Sequence, residues 1–143
     1  MNGKAVCVDA SLVLQLFLGP DDVQAWELWD EWTTKDVRIH APGLLGYEVT
    51  NALHRCQRAG MFSPSARDIV LEAVFDLPIE FEDTSGPFHR RALAVAVELG
   101  LPATYDAHYL ALARTLDVEL WTNDSRLHRA VGDRDPRVKL LRD

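Results

Sequence analysis

Residues 4–12, KAVCVDASL, decide the reading of this 143-residue chain. Lys4 to Val8 is a short apolar run with β-branched residues, which reads as a buried strand. Asp9 follows at once, and Ser11 to Leu18 then has helical spacing that Gly19-Pro20 stops. A strand running through a carboxylate into a helix is the opening of a β–α unit, and the same alternation continues outward. Asp21 or Asp22 caps a helix over about 22–34. VRIHA at 37–41 is a second strand, followed by a helix over 44–59 with Gly60 at its C′ position. Ser63-Pro64 opens a helix to about Asp76, and LPIEF at 77–81 is a third, weaker strand. A helix over 86–99 ends at Gly100, a very short strand near 102–104 precedes Asp106, and the Asp106 helix runs to Leu116. VELWT at 118–122 is a further strand, Ser125 caps a short helix, and 138–141 closes the sheet. This order predicts one α/β domain over residues 1–143: three layers, α/β/α, around a mostly parallel central sheet.

Composition agrees with a globular domain. Apolar residues make up 48% of the chain and charged residues 26%, so a sizeable core can form and no tract reads as disordered. The apolar N-terminal stretch superficially resembles a secretory signal, but Asp9 in its middle opposes that reading. No segment approaches the ~18 apolar residues that span a bilayer. The expectation is a cytoplasmic protein without membrane contact. Cys7 and Cys56 lack any CxxC spacing and read as free thiols. The net charge of −7 opposes simple binding of a nucleic-acid backbone, unless the negative charge is gathered in one site.

Four acids do gather beside apolar runs: Asp9, Glu48 in GLLGYEVTNAL, Asp106 in ATYDAHYLALA and Asp124 in VELWTNDSRL. Taken singly, each has a plain explanation, since Asp commonly caps a helix after a strand and Glu48 suits an exposed helical face. Taken together, Asp9, Asp106 and Asp124 fall at or just past strand ends, where open parallel sheets bind their ligands. Two carboxylates about 5 Å apart repel by roughly 3 kcal/mol at an effective dielectric near 20. A hard divalent cation relieves that repulsion, and oxygen-only ligands select Mg2+ or Mn2+ over softer metals. Such a site activates water and steadies a phosphodiester. Ser11 and Thr122 stand two residues from Asp9 and Asp124, and Asn51 lies three residues after Glu48 on the same helix face. All three are placed to orient the acids.

VDASL at 8–12, YEVTNAL at 47–53, YDAHYLALA at 105–113 and WTNDSRL at 121–127 resemble, in order and over nearly the whole chain, the PIN-domain nucleases. The resemblance is strongest to the small VapC-type ribonuclease toxins of VapBC toxin–antitoxin systems. It implies a Mg2+- or Mn2+-dependent endoribonuclease whose acidic quartet is Asp9, Glu48, Asp106 and Asp124, with Asp9, Asp106 and Asp124 as metal ligands. Ser11, Asn51 and Thr122 match the family's polar companions. The resemblance also implies a VapB-type antitoxin that covers the acidic site, an RNA substrate, and a homodimer. Alternatives are a PIN nuclease of RNA processing or of DNA, an acidic-pocket phospho-receiver, and a binding module. A receiver pairs two acids after its first strand, and Asp9 has no acidic neighbour before Asp21.

Trp26, Trp29 and Trp32 recur at helical spacing, and with Val23, Ala25 and Leu28 they span an arc of roughly 220°. That width suits either a helix buried on two sides or a face that docks an antitoxin helix or second subunit. Arg55, Arg58, Arg126 and Arg129 flank two acidic motifs, and Arg55 and Arg126 in particular are candidates to guide RNA phosphate. His40, His54, His89 and His128 show no ligand or triad spacing, and His108 is assigned no catalytic role. Ser11 lacks a GxSxG elbow, and no phosphate-cradling Gly-rich loop is present.

Overall fold

The computed structural model describes residues 4–19, 21–82 and 85–142. Pro20, expected to stop the first helix together with Gly19, lies outside them. The elements run β1 (Ala5–Val8), α1 (Ala10–Leu18), α2 (Val23–Thr34), β2 (Arg38–Pro42), α3 (Leu44–Arg58), α4 (Pro64–Asp76), β3 (Ile79–Glu82), α5 (Gly86–Leu99), α6 (Tyr105–Leu116), β4 (Glu119–Thr122), α7 (Ser125–Val131) and β5 (Val138–Leu140). Local sequence sets most boundaries. Asp22 caps α2 by accepting from the Ala25 N–H at 3.1 Å, and Ser63 caps α4 from the Ala66 N–H at 3.2 Å. Gly60, at φ 77°, and Gly100, at φ 63°, take the left-handed backbone that ends α3 and α5.

The five strands lie in the order β3-β2-β1-β4-β5, and every pair is parallel. Each parallel neighbour is reached through helices, which cover the sheet and bury its centre. Cys7 and Val8 of β1, Ala41 of β2 and Leu120 of β4 are fully buried. Burial, with the charge of Glu82, pushes the Cys7 thiol up to about 12, so it stays protonated. Because β1 pairs with β2 on one side and β4 on the other, strand order reverses at β1. The crevice at that reversal opens beyond the carboxyl ends of β1 and β4, where Asp9 and Asp124 stand.

Two expectations are corrected. Residues 102–104 form a bend and not a strand, so Asp106 sits in the first turn of α6, which follows α5 directly. Gly100 and Pro102 turn the chain there with too few residues to enter the sheet, and α5 packs against α6 as a helical hairpin. The tryptophan arc is also narrower than its spacing suggests. Ala25, Trp29 and Trp32 are buried on one stripe, whereas Val23 is 64% exposed, so the predicted wide arc narrows to an ordinary core-facing helix. Trp32 sits between Trp29 and Trp121, each with ring centroids 5.9 Å away. Trp26 is half-buried; it donates Nε1–H to the Leu16 carbonyl at 2.8 Å and meets Phe17 edge-on.

Burial of this kind has a measurable weight. Trp29→Ala is expected to lower unfolding stability by about 3–5 kcal/mol, while Val23→Ala stays within about 0.5 kcal/mol. Urea titrations of both variants check this, and equal small losses would show that α2 does not face the core.

Candidate active site

The site starts from Asp9. Its backbone leaves β1 in extended geometry, and its side chain caps α1. The carboxylate accepts the Ser11 hydroxyl at 2.7 Å and the Leu12 N–H at 3.1 Å on Oδ1, and the Thr122 hydroxyl at 2.5 Å on Oδ2. Each hydroxyl has a single proton, and both protons go to Asp9. The 3.2 Å approach of Ser11 Oγ to Thr122 Oγ1 is therefore a contact between two acceptors. Those same hydroxyl oxygens accept from the β4–α7 turn: Asn123 N–H donates to Ser11 Oγ at 2.9 Å, and Asp124 N–H to Thr122 Oγ1 at 3.0 Å. Asp9 thus fixes the turn that carries Asp124.

Asp124, and not the expected Ser125, caps α7, accepting the Arg126 and Leu127 N–H groups at 2.9 and 3.4 Å. The Arg126 guanidinium lies 3.7 Å from Asp124 and is 85% exposed. Arg55 stands seven residues beyond Glu48 on α3, about 10 Å along the axis, and shares no ion pair with the acids among the described residues. Asn51 is exposed and makes no bond to Glu48 among the described residues. The group that holds Glu48 is Tyr109, whose hydroxyl donates to Oε1 at 2.5 Å. Sequence reading missed it. The available signal was its place one helical turn after Asp106, on the same face.

Electrostatics join the four acids into one field. Burial pushes the Asp9 carboxyl up to about 6, overcoming its three hydrogen bonds, and the charge of Asp106 adds to the rise. Burial also raises Glu48; the Tyr109 bond and His108 pull it back, and Asp106 pushes it further. Asp106 is raised by burial and then by Asp124, with Arg126 opposing. Asp106 thus couples to each of the other three, yet its carboxylate receives no hydrogen bond from the described residues. Among those residues no three His, Cys, Asp or Glu side chains close into a ready-made metal cage. The donor set is nevertheless all oxygen, anionic and short of cations, which fits a hard ion that keeps most of its own waters.

The field has a pH signature. For an acid whose folded pKa is raised, stability is fully present below the unfolded value of 3.8 and is lost as pH rises through about 6. For Asp9 the loss amounts to at most about 3 kcal/mol. In EDTA, unfolding stability is expected to fall between pH 4 and pH 7, and Asp9→Asn is expected to flatten that fall. Denaturant midpoints across this range test it; wild-type stability that climbs with pH would contradict the coupling.

Comparison with known proteins agrees with this geometry. The PIN domain family matches residues 6–133. Ribonuclease VapC1 of Mycobacterium tuberculosis is 39% identical over 99 residues, which cover 68% of this chain and 71% of that protein. Ribonuclease VapC3 of the same organism is 36% identical over 96 residues, 64% of each. Among solved structures, PAE2754 from Pyrobaculum aerophilum superposes with a TM-score of 0.67 at 28% identity, covering 90% of this chain and 85% of that one. VapBC2 from Rickettsia felis, bound to a DNA fragment from their promoter, gives a TM-score of 0.68 over 95% of this chain and 96% of that one. At 13% identity that likeness speaks to the fold alone. With the family matched across most of its length and a relative at this level of identity, the chain belongs to the PIN-domain family, alongside the VapC ribonucleases.

Proposed function

We propose that this protein is a metal-dependent endoribonuclease, the toxin of a toxin–antitoxin pair, and that Asp9, Glu48, Asp106 and Asp124 carry the cleavage of RNA phosphodiester bonds. The observation that carries the reading is the placement of Asp9 and Asp124 at the ends of adjacent strands where strand order reverses, with Glu48 tied by Tyr109 to the helix that carries Asp106. An oxygen-only site of this charge suits Mg2+ or Mn2+, held by Asp9, Asp106 and Asp124. When bound, the ion would lower the pKa of a water and offset charge on the phosphate.

The chain's own residues do the positioning. Ser11 and Thr122 use up their protons on Asp9 and so hold its carboxylate in one orientation. Tyr109 occupies Oε1 of Glu48, which leaves Oε2 to take a proton from the attacking water. Arg126, exposed at the rim, is placed to meet a phosphate. The antitoxin partner is supported by the occurrence of this fold in a VapBC assembly and by the acidic site itself, which a basic or polar segment would cover.

Cleavage of single-stranded RNA with Mg2+ or Mn2+, and its loss in EDTA, is the direct test. Asp9→Asn and Asp106→Asn are each expected to reduce the rate by about a hundredfold or more while circular dichroism stays native. Full activity in either variant refutes the assignment. Tyr109→Phe removes a bond that holds the Glu48 pKa down. The acid limb of its pH–rate profile is expected to move to higher pH, so the loss of rate relative to wild type grows as pH falls. An unmoved limb would mean that Glu48 does not titrate in the rate-determining step.

A further inference from the structure

Beside the acids lies a cavity of about 760 Å³ between α3, α4, α5 and α6. Rings surround it: Tyr47, Phe75, Phe88, His89, Tyr105 and His108. Resting on the nuclease reading above, we propose that this cavity receives one unpaired base of the RNA strand, next to the bond that is cut.

The cavity is lined from the same two helices, α3 and α6, that carry Glu48 and Asp106. Tyr47 directly precedes Glu48, Tyr105 directly precedes Asp106, and His108 is near enough to bias the ionisation of Glu48. Two of its rings are held out in water, with Tyr47 78% and Tyr105 60% exposed. A tyrosine that exposed adds nothing to a core, but it offers a flat face for stacking. The wall behind them is already fixed. His108 Nδ1–H donates to the Thr104 carbonyl at 2.6 Å, so in the neutral ring Nε2 is left to accept from His89 Nδ1–H at 2.9 Å. The edge of Phe88 closes on His108 with centroids 5.6 Å apart. Gly46 keeps the floor low, since a Cβ there would come within 3.2 Å of the Phe75 ring.

Charge decides the kind of contact. A chain of net charge −7 offers the RNA backbone little attraction beyond a bound ion and Arg126, so contacts that do not depend on charge add to the hold on the strand. Stacking on aromatic faces supplies it and tolerates any base. The volume is in the range of small-molecule sites and exceeds what one base fills, so the ribose has room to follow. An apolar segment of a partner protein is the rival occupant. It gives no reason for two tyrosines to flank the catalytic acids in sequence, each one residue before a carboxylate.

The test uses the full chain and short single-stranded oligoribonucleotides carrying one abasic nucleotide, moved stepwise past the scissile bond. Wild type is expected to lose about tenfold or more in kcat/KM, mainly through KM, with the abasic unit at one position. Tyr47→Ala and Tyr105→Ala are expected to lose as much on intact RNA and nothing further on that abasic strand, while Tyr47→Phe and Tyr105→Phe restore wild-type values. Alanine variants that match wild type on intact RNA overturn the proposal, as do losses equal on intact and abasic strands. If those variants cleave normally but bind the antitoxin more weakly, the cavity is a protein groove and the proposal falls. Binding of fluorescent oligoribonucleotide in EDTA separates the pocket from the chemistry. Affinity that drops about tenfold in both alanine variants supports the pocket even where no cleavage is seen; absent or unchanged affinity refutes it.

Discussion

One buried carboxylate organises this molecule. Asp9 is 4% exposed, and it is held by Ser11, Leu12 and Thr122, donors from two β–α junctions that lie more than a hundred residues apart in sequence. Every donor is neutral. The contrast with the other buried acid among the described residues is instructive. Asp135, 2% exposed, meets the Arg114 guanidinium at 2.9 Å, and Arg114 also grips Glu98, so a charge inside the fold is answered by a charge. At Asp9 the described residues supply hydrogen bonds but no cation, and burial lifts the carboxyl well above its usual range. A buried acid that the fold orients without neutralising has been left for something else to neutralise.

The sheet explains how four acids from distant segments meet. Parallel strands all point the same way, so the β1–α1 and β4–α7 junctions open on the same crevice at the carboxyl edge. Asp9 and Asp124 arrive as caps of the helices that follow adjacent strands, and Asp106 and Glu48 arrive from helices that pack beside them. The capping role and the functional role are compatible: a capping carboxylate has its position fixed by backbone N–H groups, which is also what a ligand requires.

Much of this was legible in the chain. KAVCVDASL and VELWTNDSRL each announce strand, acid and helix within a few residues, and the alternation of elements implied a parallel sheet with its site at one edge. The misreadings share a cause. The 102–104 segment reads as a very short strand, but Gly100 in left-handed geometry just before it and Pro102 within it commit it to a helix–helix turn. The tryptophan arc looked two-sided because periodicity counts apolar residues without knowing which the fold covers. Tyr109 and the His89–His108 pair went unassigned because their partners lie on other helices, and no local pattern reports a contact between Tyr109 and a residue 61 positions away.

The sheet order also sets when the site can exist during synthesis. β1, made first, sits at the centre, but its partner β4 and the Thr122 hydroxyl lie 113 residues beyond Asp9. A nascent chain that has released α1 to α6 holds three of the acids and still lacks the strand and turn that lock Asp9 and present Asp124. The crevice closes only once β4 and the turn after it are free of the ribosome, because the long segment between β1 and β4 must be traversed before their pairing is rewarded. Chains that have not yet released β4 are thereby kept without a finished acidic centre, and the fold itself times the onset of whatever that centre does.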